Sequence, residues 1–209
     1  MLSRKEKIAF IGKKLDELYP NPPIPLNYTN AYTMLIAVVL SAQCTDVRVN
    51  QVTAVLFKKA DTPQKMLKLG VDGIAEIIKP CGFFNTKSAN IFKLSQALVN
   101  DFAGNVPQTF EELESLPGVG HKTASVIMSH IFKQPAFPVD THIHRLAERW
   151  GLSDGSSVEK TEADLKKAFS PVRSIRINAL RLFTRATFEL AQPINYVARI
   201  FIIFTPNQY

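Results

Sequence analysis

Apolar residues recur along most of this chain at the three- and four-residue spacing of amphipathic helices. Clusters of proline, glycine and asparagine interrupt the pattern, as at 20–25 and 151–155. The pattern predicts helices over 5–18, 31–43, 46–59, 63–70, 73–79, 86–102, 109–115, 121–132, 141–150 and 158–169. We therefore expect an all-α fold, with one strand-like apolar run at 200–204.

Helix start signals accompany several of these segments. A Ser or Thr side chain at the N-cap accepts a hydrogen bond from the first-turn backbone, and a Glu three residues later completes a capping box. Proline is also favoured at the first helical position. The matching residues are Thr62 before Pro63, Thr109 before Glu112, and Ser156 before Glu159. These signals predict where three of the helices begin.

The segment Leu116-Pro117-Gly118-Val119-Gly120 joins two predicted helices. Glycine adopts positive φ at no steric cost, so Gly118 and Gly120 predict a sharp hairpin with backbone N–H groups pointing outward. The helix that begins at His121 adds its first-turn N–H groups and the positive end of its dipole, a combination that favours a bound phosphate. The unit is then a helix–hairpin–helix; the alternative is a plain interhelical turn.

Two residues near this hairpin are candidates for catalysis. Lys122 falls in the first turn of a helix, where the dipole favours acidic residues; we expect it to be buried there as a neutral, nucleophilic amine. Asp140 begins another helix, and a carboxylate there can stabilise positive charge on a sugar ring and assist proton transfer. The alternatives are a solvated surface lysine and an N-cap aspartate.

Four segments together resemble one protein family. They are 40–46 (LSAQCTD), 82–89 (GFFNTKSA), 116–124 (LPGVGHKTA) and 139–142 (VDTH). With these motifs the chain resembles the endonuclease III family of bifunctional DNA glycosylases and abasic-site lyases, which belong to the helix–hairpin–helix superfamily. The resemblance extends from about residue 1 to about residue 170.

The resemblance implies a base excision repair enzyme acting on double-stranded DNA with damaged bases or abasic sites. Lys122 would attack C1′ and expel an oxidised pyrimidine, leaving a Schiff base through which β-elimination cuts the strand. Asp140 would be the essential carboxylate. Relatives that only remove adenine from mismatches have a different residue at the lysine position. Two alternatives stay open: a DNA-binding protein with impaired catalysis, and a sibling glycosylase that prefers mismatched thymine or uracil.

The resemblance also implies which residues contact DNA. Gln43 matches the residue that fills the gap left by the flipped base, and Phe83 lies where the family places a hydrophobic wedge. Extruding a base costs a few kcal/mol, which explains the need for both. Without the resemblance, Gln43 is equally well explained as a capping amide and Phe83 as a core aromatic. The other expected contacts are Leu116, Gly118, Val119, Gly120, His121, Thr123 and His142.

By the same resemblance the chain forms two helical lobes with the active site in the cleft between them. Residues 1–21 would form an N-terminal helix that joins the second lobe, and 22–133 the central helical domain with the hairpin. Residues 134–170 would form the second lobe, which carries Asp140, and 171–209 a divergent tail. Lys122 would then lie on one wall of the cleft and Asp140 on the other.

The tail departs from the family. Its members usually end in a [4Fe–4S] loop with cysteines spaced C-x6-C-x2-C-x5-C, and four thiolates hold such a cluster. The two cysteines here, Cys44 and Cys81, precede this region, so we expect neither a cluster nor another metal in this chain. Two explanations of 171–209 stay open: an out-of-frame or recombined C-terminus, or a lineage-specific tail that replaces the cluster with apolar packing.

Composition agrees with a nucleic-acid partner. The net charge of +7 suits a polyanion. The longest apolar run of the main body, 34–40, is far too short to span a bilayer, and the charged N-terminal segment is unlike a secretory signal. Two cysteines favour a reducing cytoplasm over a disulfide scaffold. We therefore expect a cytoplasmic, nucleoid-associated monomer with no membrane partner.

Overall fold

The computed structural model describes residues 3–18, 24–134, 136, 139 and 141–169. Within these residues the chain forms nine α-helices and no strand, which confirms the predicted all-α class. The helices are α1 Arg4–Leu18, α2 Ala31–Ser41, α3 Asp46–Lys59, α4 Pro63–Ile78, α5 Phe84–Asp101, α6 Phe110–Ser115, α7 His121–His130, α8 Thr141–Arg149 and α9 Val158–Ala168. The strand-like run expected at 200–204 and the rest of the segment 171–209 lie outside the described residues.

The chain divides into two compact units. The first, here called the central unit, is Pro23–Gln134 and contains α2 to α7. The second, here called the split unit, combines Met1–Pro22 with Pro135–Tyr209 and contains α1, α8 and α9.

Helix α2 is the buried centre of the central unit. It begins with a reciprocal capping box in which Asn30 Oδ1 accepts the Thr33 N–H at 2.8 Å and Thr33 Oγ1 accepts the Asn30 N–H at 2.9 Å. Every residue from Tyr32 to Leu40 is buried, so the longest apolar run of the main body is a core helix. In the part of the chain that the structure describes, no helix is long and apolar enough to cross a membrane.

Helix α4 unites two helices that the sequence predicts separately. The predicted break between 70 and 73 is a kink at Gly70, whose φ of 73° and ψ of 168° are not helical. Thr62 is the N-cap of α4, as expected, because its Oγ1 accepts the Lys65 N–H at 3.3 Å. The helix packs against both α3 and α5.

The split unit has its own apolar core. Its members are Ile11, Val139, Ile143, Ala147, Trp150, Leu152, Leu165 and Phe169. Polar contacts also join α8 to α9: Thr161 Oγ1 lies 2.8 Å from His144 Nδ1 and 3.2 Å from Ser153 Oγ. Ser153 in turn donates to Asp164 Oδ2 at 3.1 Å. The unit is therefore held by burial and by a run of hydrogen-bonding side chains.

The N-cap of α9 is one residue later than the predicted capping box. Ser157, not Ser156, is the N-cap, and its Oγ accepts the Lys160 N–H at 3.1 Å. Ser156 donates instead to Asp154 Oδ1 at 2.7 Å. With two consecutive serines the sequence pattern is ambiguous by one residue, and the turn at Asp154 selects the second serine as the cap.

Candidate active site and nucleic-acid interface

The hairpin between α6 and α7 is a tight turn centred on Pro117 and Gly118. Val119 N–H donates to Leu116 O at 3.1 Å, and Gly118 has a φ of 79°, as in a type II turn. A Cβ on Gly118 would lie 3.1 Å from the Cβ and Nδ2 atoms of Asn90, so this glycine also allows a close approach to α5. Leu116 and Val119 are only 3% and 6% exposed. Their side chains anchor the hairpin in the core.

Helix α6 fixes the arm that precedes the hairpin. Thr109 is its N-cap, as predicted: Thr109 Oγ1 accepts the Glu112 N–H at 3.2 Å. The Thr109 hydroxyl also donates to Glu112 Oε2 at 2.7 Å. The predicted pair is therefore in contact, with the carboxylate bound to the threonine hydroxyl.

Gly120, directly after the hairpin, is the N-cap of α7. Its φ of −95° and ψ of 173° are extended backbone that any residue adopts, so the prediction that Gly120 supplies positive φ is wrong. Gly120 provides no side-chain cap, and a Cβ there would meet no atom within 4 Å. The first N–H groups of a helix lack intrahelical partners. An N-terminus with this much open space is suited to an anion such as phosphate.

The first three residues of α7 are those that the sequence assigns to catalysis and DNA contact. His121 Nδ1 lies 2.6 Å from Glu114 Oε1, and its ring stacks on Phe110 with centroids 5.4 Å apart and planes at 24°. Thr123 is half-buried. Lys122 is exposed, which corrects the expectation of burial; the residues immediately before it are exposed as well and do not cover it.

Gln43 and Phe83 share an uncommon backbone conformation. Gln43, just after α2, has a φ of 52°, and Phe83, just before α5, has a φ of 58° and a ψ of 32°. Four non-glycine residues of the described chain have positive φ, and these are two of them. This conformation costs a non-glycine residue about 1–2 kcal/mol and concentrates at functional sites. Both residues are exposed, Phe83 by 68%, so its interpretation as a core aromatic is wrong.

Lys87 is a buried lysine of α5 that was not predicted as a site residue. It is 7% exposed, and its Nζ donates to the carbonyl oxygens of Leu40 and Ala42. The available signal is its position: Lys87 lies four and seven residues before Ile91 and Leu94, on the buried face of the helix. A lysine on an apolar face indicates a buried partner for its ammonium group.

Asp140 and the side chain of His142 lie outside the described residues. The role of Asp140, its alternative as an N-cap and its distance from Lys122 therefore stay predictions, as does the DNA contact of His142. Helix α8 begins at Thr141, where the sequence predicts it.

The side chains present do not fit an iron–sulfur cluster. In the described residues no three His, Cys, Asp or Glu side chains form a group that could hold a metal ion. The 209-residue sequence contains two cysteines, and a cluster held by cysteine thiolates alone needs four.

Residues 36–171 match the family described as HhH-GPD superfamily base excision DNA repair protein. The match spans more than half of the sequence, and the chain belongs to this superfamily. It is 45% identical over 161 residues to endonuclease III of Rickettsia felis, with coverage of 75% of this chain and 76% of the relative. It is 44% identical over 163 residues to endonuclease III of Escherichia coli K12, with coverage of 78% and 77%.

The fold is also similar to solved structures. A trapped endonuclease III–DNA covalent intermediate matches with a TM-score of 0.76 at 37% identity, covering 85% of this chain and 86% of the other. The resemblance stated from the motifs is thereby confirmed. The protein is a base excision repair enzyme with DNA glycosylase/lyase function. The comparisons do not favour a DNA-binding protein with impaired catalysis or a glycosylase that prefers mismatched thymine or uracil.

Proposed function

We propose that this protein removes oxidised pyrimidines from double-stranded DNA and cleaves the resulting abasic site by β-elimination. The observation that carries the proposal is the position of Lys122, exposed in the first turn of α7 directly after the open N-terminus at Gly120. A phosphate bound at that N-terminus lies within one helical turn of the lysine. The net charge of +7 supports DNA, a polyanion, as the partner. The protein is proposed to act as a monomer.

In this reaction the Lys122 amine attacks C1′ of the damaged nucleotide. The bond between C1′ and the base breaks, and its electron pair leaves with the base, which takes up a proton. The C1′–O4′ bond then breaks, O4′ takes up a proton and the nitrogen loses one, which gives a Schiff base to Lys122. Removal of a C2′ proton then expels the 3′ phosphate and cuts the strand. Asp140 stabilises positive charge on the sugar and carries protons to and from the amine.

Base extrusion precedes this chemistry. Phe83 presents an exposed aromatic ring that can wedge between bases, and Gln43 can fill the space that the extruded base leaves. The hairpin and the first turn of α7 bind phosphate rather than a base sequence, through backbone groups at Gly118 to Thr123. Affinity for DNA should therefore fall as the salt concentration rises.

Borohydride trapping on DNA with a single abasic site tests the lysine assignment. Lys122→Ala should abolish both the trapped adduct and strand nicking while DNA binding remains, because only a primary amine forms the reducible Schiff base. Lys93→Ala is the matched control, an exposed lysine of the same unit that loses the same charge. It should trap and nick like the wild type. Nicking by Lys122→Ala at the wild-type rate would exclude Lys122 as the nucleophile.

Asp140→Asn tests the carboxylate. The variant should slow base release severely with little loss of affinity, because the charge acts mainly in the transition state. Single-turnover rates and binding to an abasic analogue are measured on the same preparation. A loss of affinity equal to the loss of rate would assign Asp140 to binding instead.

A further inference from the structure

Lys87 joins the start of α5 to the end of α2. The residue is 7% exposed, and its Nζ donates to Leu40 O at 2.9 Å and to Ala42 O at 2.7 Å. Burying an ammonium group is costly unless it is hydrogen-bonded. The last carbonyls of a helix carry a partial negative charge. The end of α2 therefore stabilises the ammonium group, and the ammonium group caps α2.

The same lysine is linked to two of the exposed residues with left-handed backbone, Gln43 and Phe83. Ala42, whose carbonyl it binds, precedes Gln43, and the Lys87 N–H donates to Phe83 O at 2.9 Å. A Cβ on Gly82 would lie 3.8 Å from Gln43 O, so the two loops approach within van der Waals distance. The side chain of Lys87 thus binds next to the proposed plug, whereas its link to the proposed wedge is the first helical hydrogen bond of α5. The close approach of Gly82 to Gln43 couples the two loops.

Further contacts close this loop junction, which we define as residues 41–45 and 80–84. Arg48 Nη1 donates to Pro80 O at 3.2 Å. Cys81 is 1% exposed, and burial, followed by its hydrogen bond with Cys44, raises the pKa of its thiol to about 11. Because Cys81 is covered while the junction is closed, its reactivity toward a thiol reagent reports on closure.

We propose that Lys87 is a positioning residue for base extrusion, which holds Gln43 and Phe83 in the backbone conformation from which their side chains enter the duplex. This inference rests on the proposed function. Extrusion costs a few kcal/mol, and inserted side chains offset that cost best when they are ordered before they bind. In this role Lys87 touches no DNA. Without its ammonium group the last carbonyls of α2 lose their donor, and the strained residues are free to relax.

Lys87→Met tests the proposal, because methionine removes the charge and donors while keeping most of the length. The matched control is Lys93→Met, which removes an exposed lysine from the same helix. Two single-turnover rates are compared: release of an oxidised pyrimidine from duplex DNA, and nicking of a preformed abasic site, where no base has to be unpaired. For Lys87→Met, release should slow about tenfold or more and nicking should be unchanged. The control should keep both rates.

A second measurement needs no DNA. In a Cys44→Ser background Cys81 is the remaining cysteine, so a chromogenic disulfide reagent reports on it alone. Adding Lys87→Met should raise its rate of modification about tenfold, as local opening exposes the thiol. Lys93→Met in the same background should leave the rate unchanged. If wild-type enzyme releases no base, the proposed function fails, while Cys81 reactivity still decides whether Lys87 holds the junction.

Two results overturn the proposal. Equal slowing of release and nicking by Lys87→Met would assign the residue a structural role only, and unchanged Cys81 reactivity would show that the junction does not depend on it. If Lys87→Met fails to fold, Lys87→Arg and Lys87→Gln carry the test. Arginine keeps charge and donors and should restore release, whereas glutamine should not. A glutamine variant as fast as the wild type would overturn the proposal as well.

Discussion

The two glycines of the hairpin should fail in different ways when they are replaced. Gly118→Ala places a Cβ on a residue with a φ of 79°, 3.1 Å from two atoms of Asn90. The left-handed backbone costs alanine about 1–2 kcal/mol, and the lower entropy of the unfolded alanine chain offsets about 0.4–1 kcal/mol of that. Displacing Asn90 adds to the cost. We expect the free energy of unfolding to fall by about 1–2 kcal/mol.

Gly120→Ser should show the opposite behaviour. Gly120 is an extended N-cap with open space around its missing side chain, and serine caps a helix better than glycine by a few tenths of a kcal/mol. The free energy of unfolding should therefore be unchanged or slightly higher. The new hydroxyl, however, occupies the space through which a phosphate reaches the first-turn N–H groups. Losing one hydrogen bond to a charged group costs about 1.5–3 kcal/mol, or roughly tenfold to a hundredfold in affinity.

Stability is measured by urea unfolding followed by far-ultraviolet circular dichroism, and affinity by fluorescence anisotropy with a duplex that carries an abasic analogue. Both variants are measured at one salt concentration, because phosphate contacts depend on salt. Wild-type affinity in Gly120→Ser would refute the phosphate site at the start of α7. Wild-type stability in Gly118→Ala would refute the strained turn at the hairpin.

Three further substitutions test the packing. Burial raises the pKa of Tyr32, whose hydroxyl lies 2.6 Å from Ser95 Oγ. Tyr32→Phe should therefore lower the free energy of unfolding by about 1 kcal/mol. The urea midpoint of the wild type should fall as the pH rises above the ordinary tyrosine pKa, and the variant should not show this fall. The hydrogen bond from Lys160 holds the pKa of Asp164 below its usual value. Asp164 therefore stabilises the fold at a pH above the usual pKa and stops doing so as the pH falls through the lowered pKa. Asp164→Asn should be less stable than the wild type at neutral pH, and the two should match in unfolding curves at acid pH. Ser157→Ala should lose about 1 kcal/mol in thermal unfolding, because it removes the cap of α9.

Most of the fold could be predicted because its signals are local. The apolar period of α3 places its bounds at Asp46–Lys59, as the structure does. Thr62 and Thr109 form the N-caps that their spacing predicts, since a cap needs only a side chain and a backbone N–H three residues apart. At α9 this reasoning was wrong by one residue, because two adjacent serines satisfy the same local rule.

The candidate site could be predicted in its motif but not in its geometry. The hairpin pattern identifies Gly118 correctly as a residue of positive φ, yet the same reasoning assigns that φ wrongly to Gly120. The positive φ of Gln43 and Phe83 has no local signal, because glutamine and phenylalanine rarely adopt it. Both residues lie where two loops distant in the sequence approach each other, and the buried ammonium group of Lys87 binds at the same place.

The opposite charges of two helix ends suggest how the central unit presents itself to DNA. The C-terminal end of α2 carries partial negative charge, which would repel a phosphate, and the ammonium group of Lys87 satisfies its carbonyls from inside the protein. The N-terminal end of α7 carries partial positive charge, and Gly120 provides no side chain to cap it. One end is thus neutralised within the fold while the other is left open to an anion. A capping serine at Gly120 should therefore weaken DNA binding by filling the phosphate site directly.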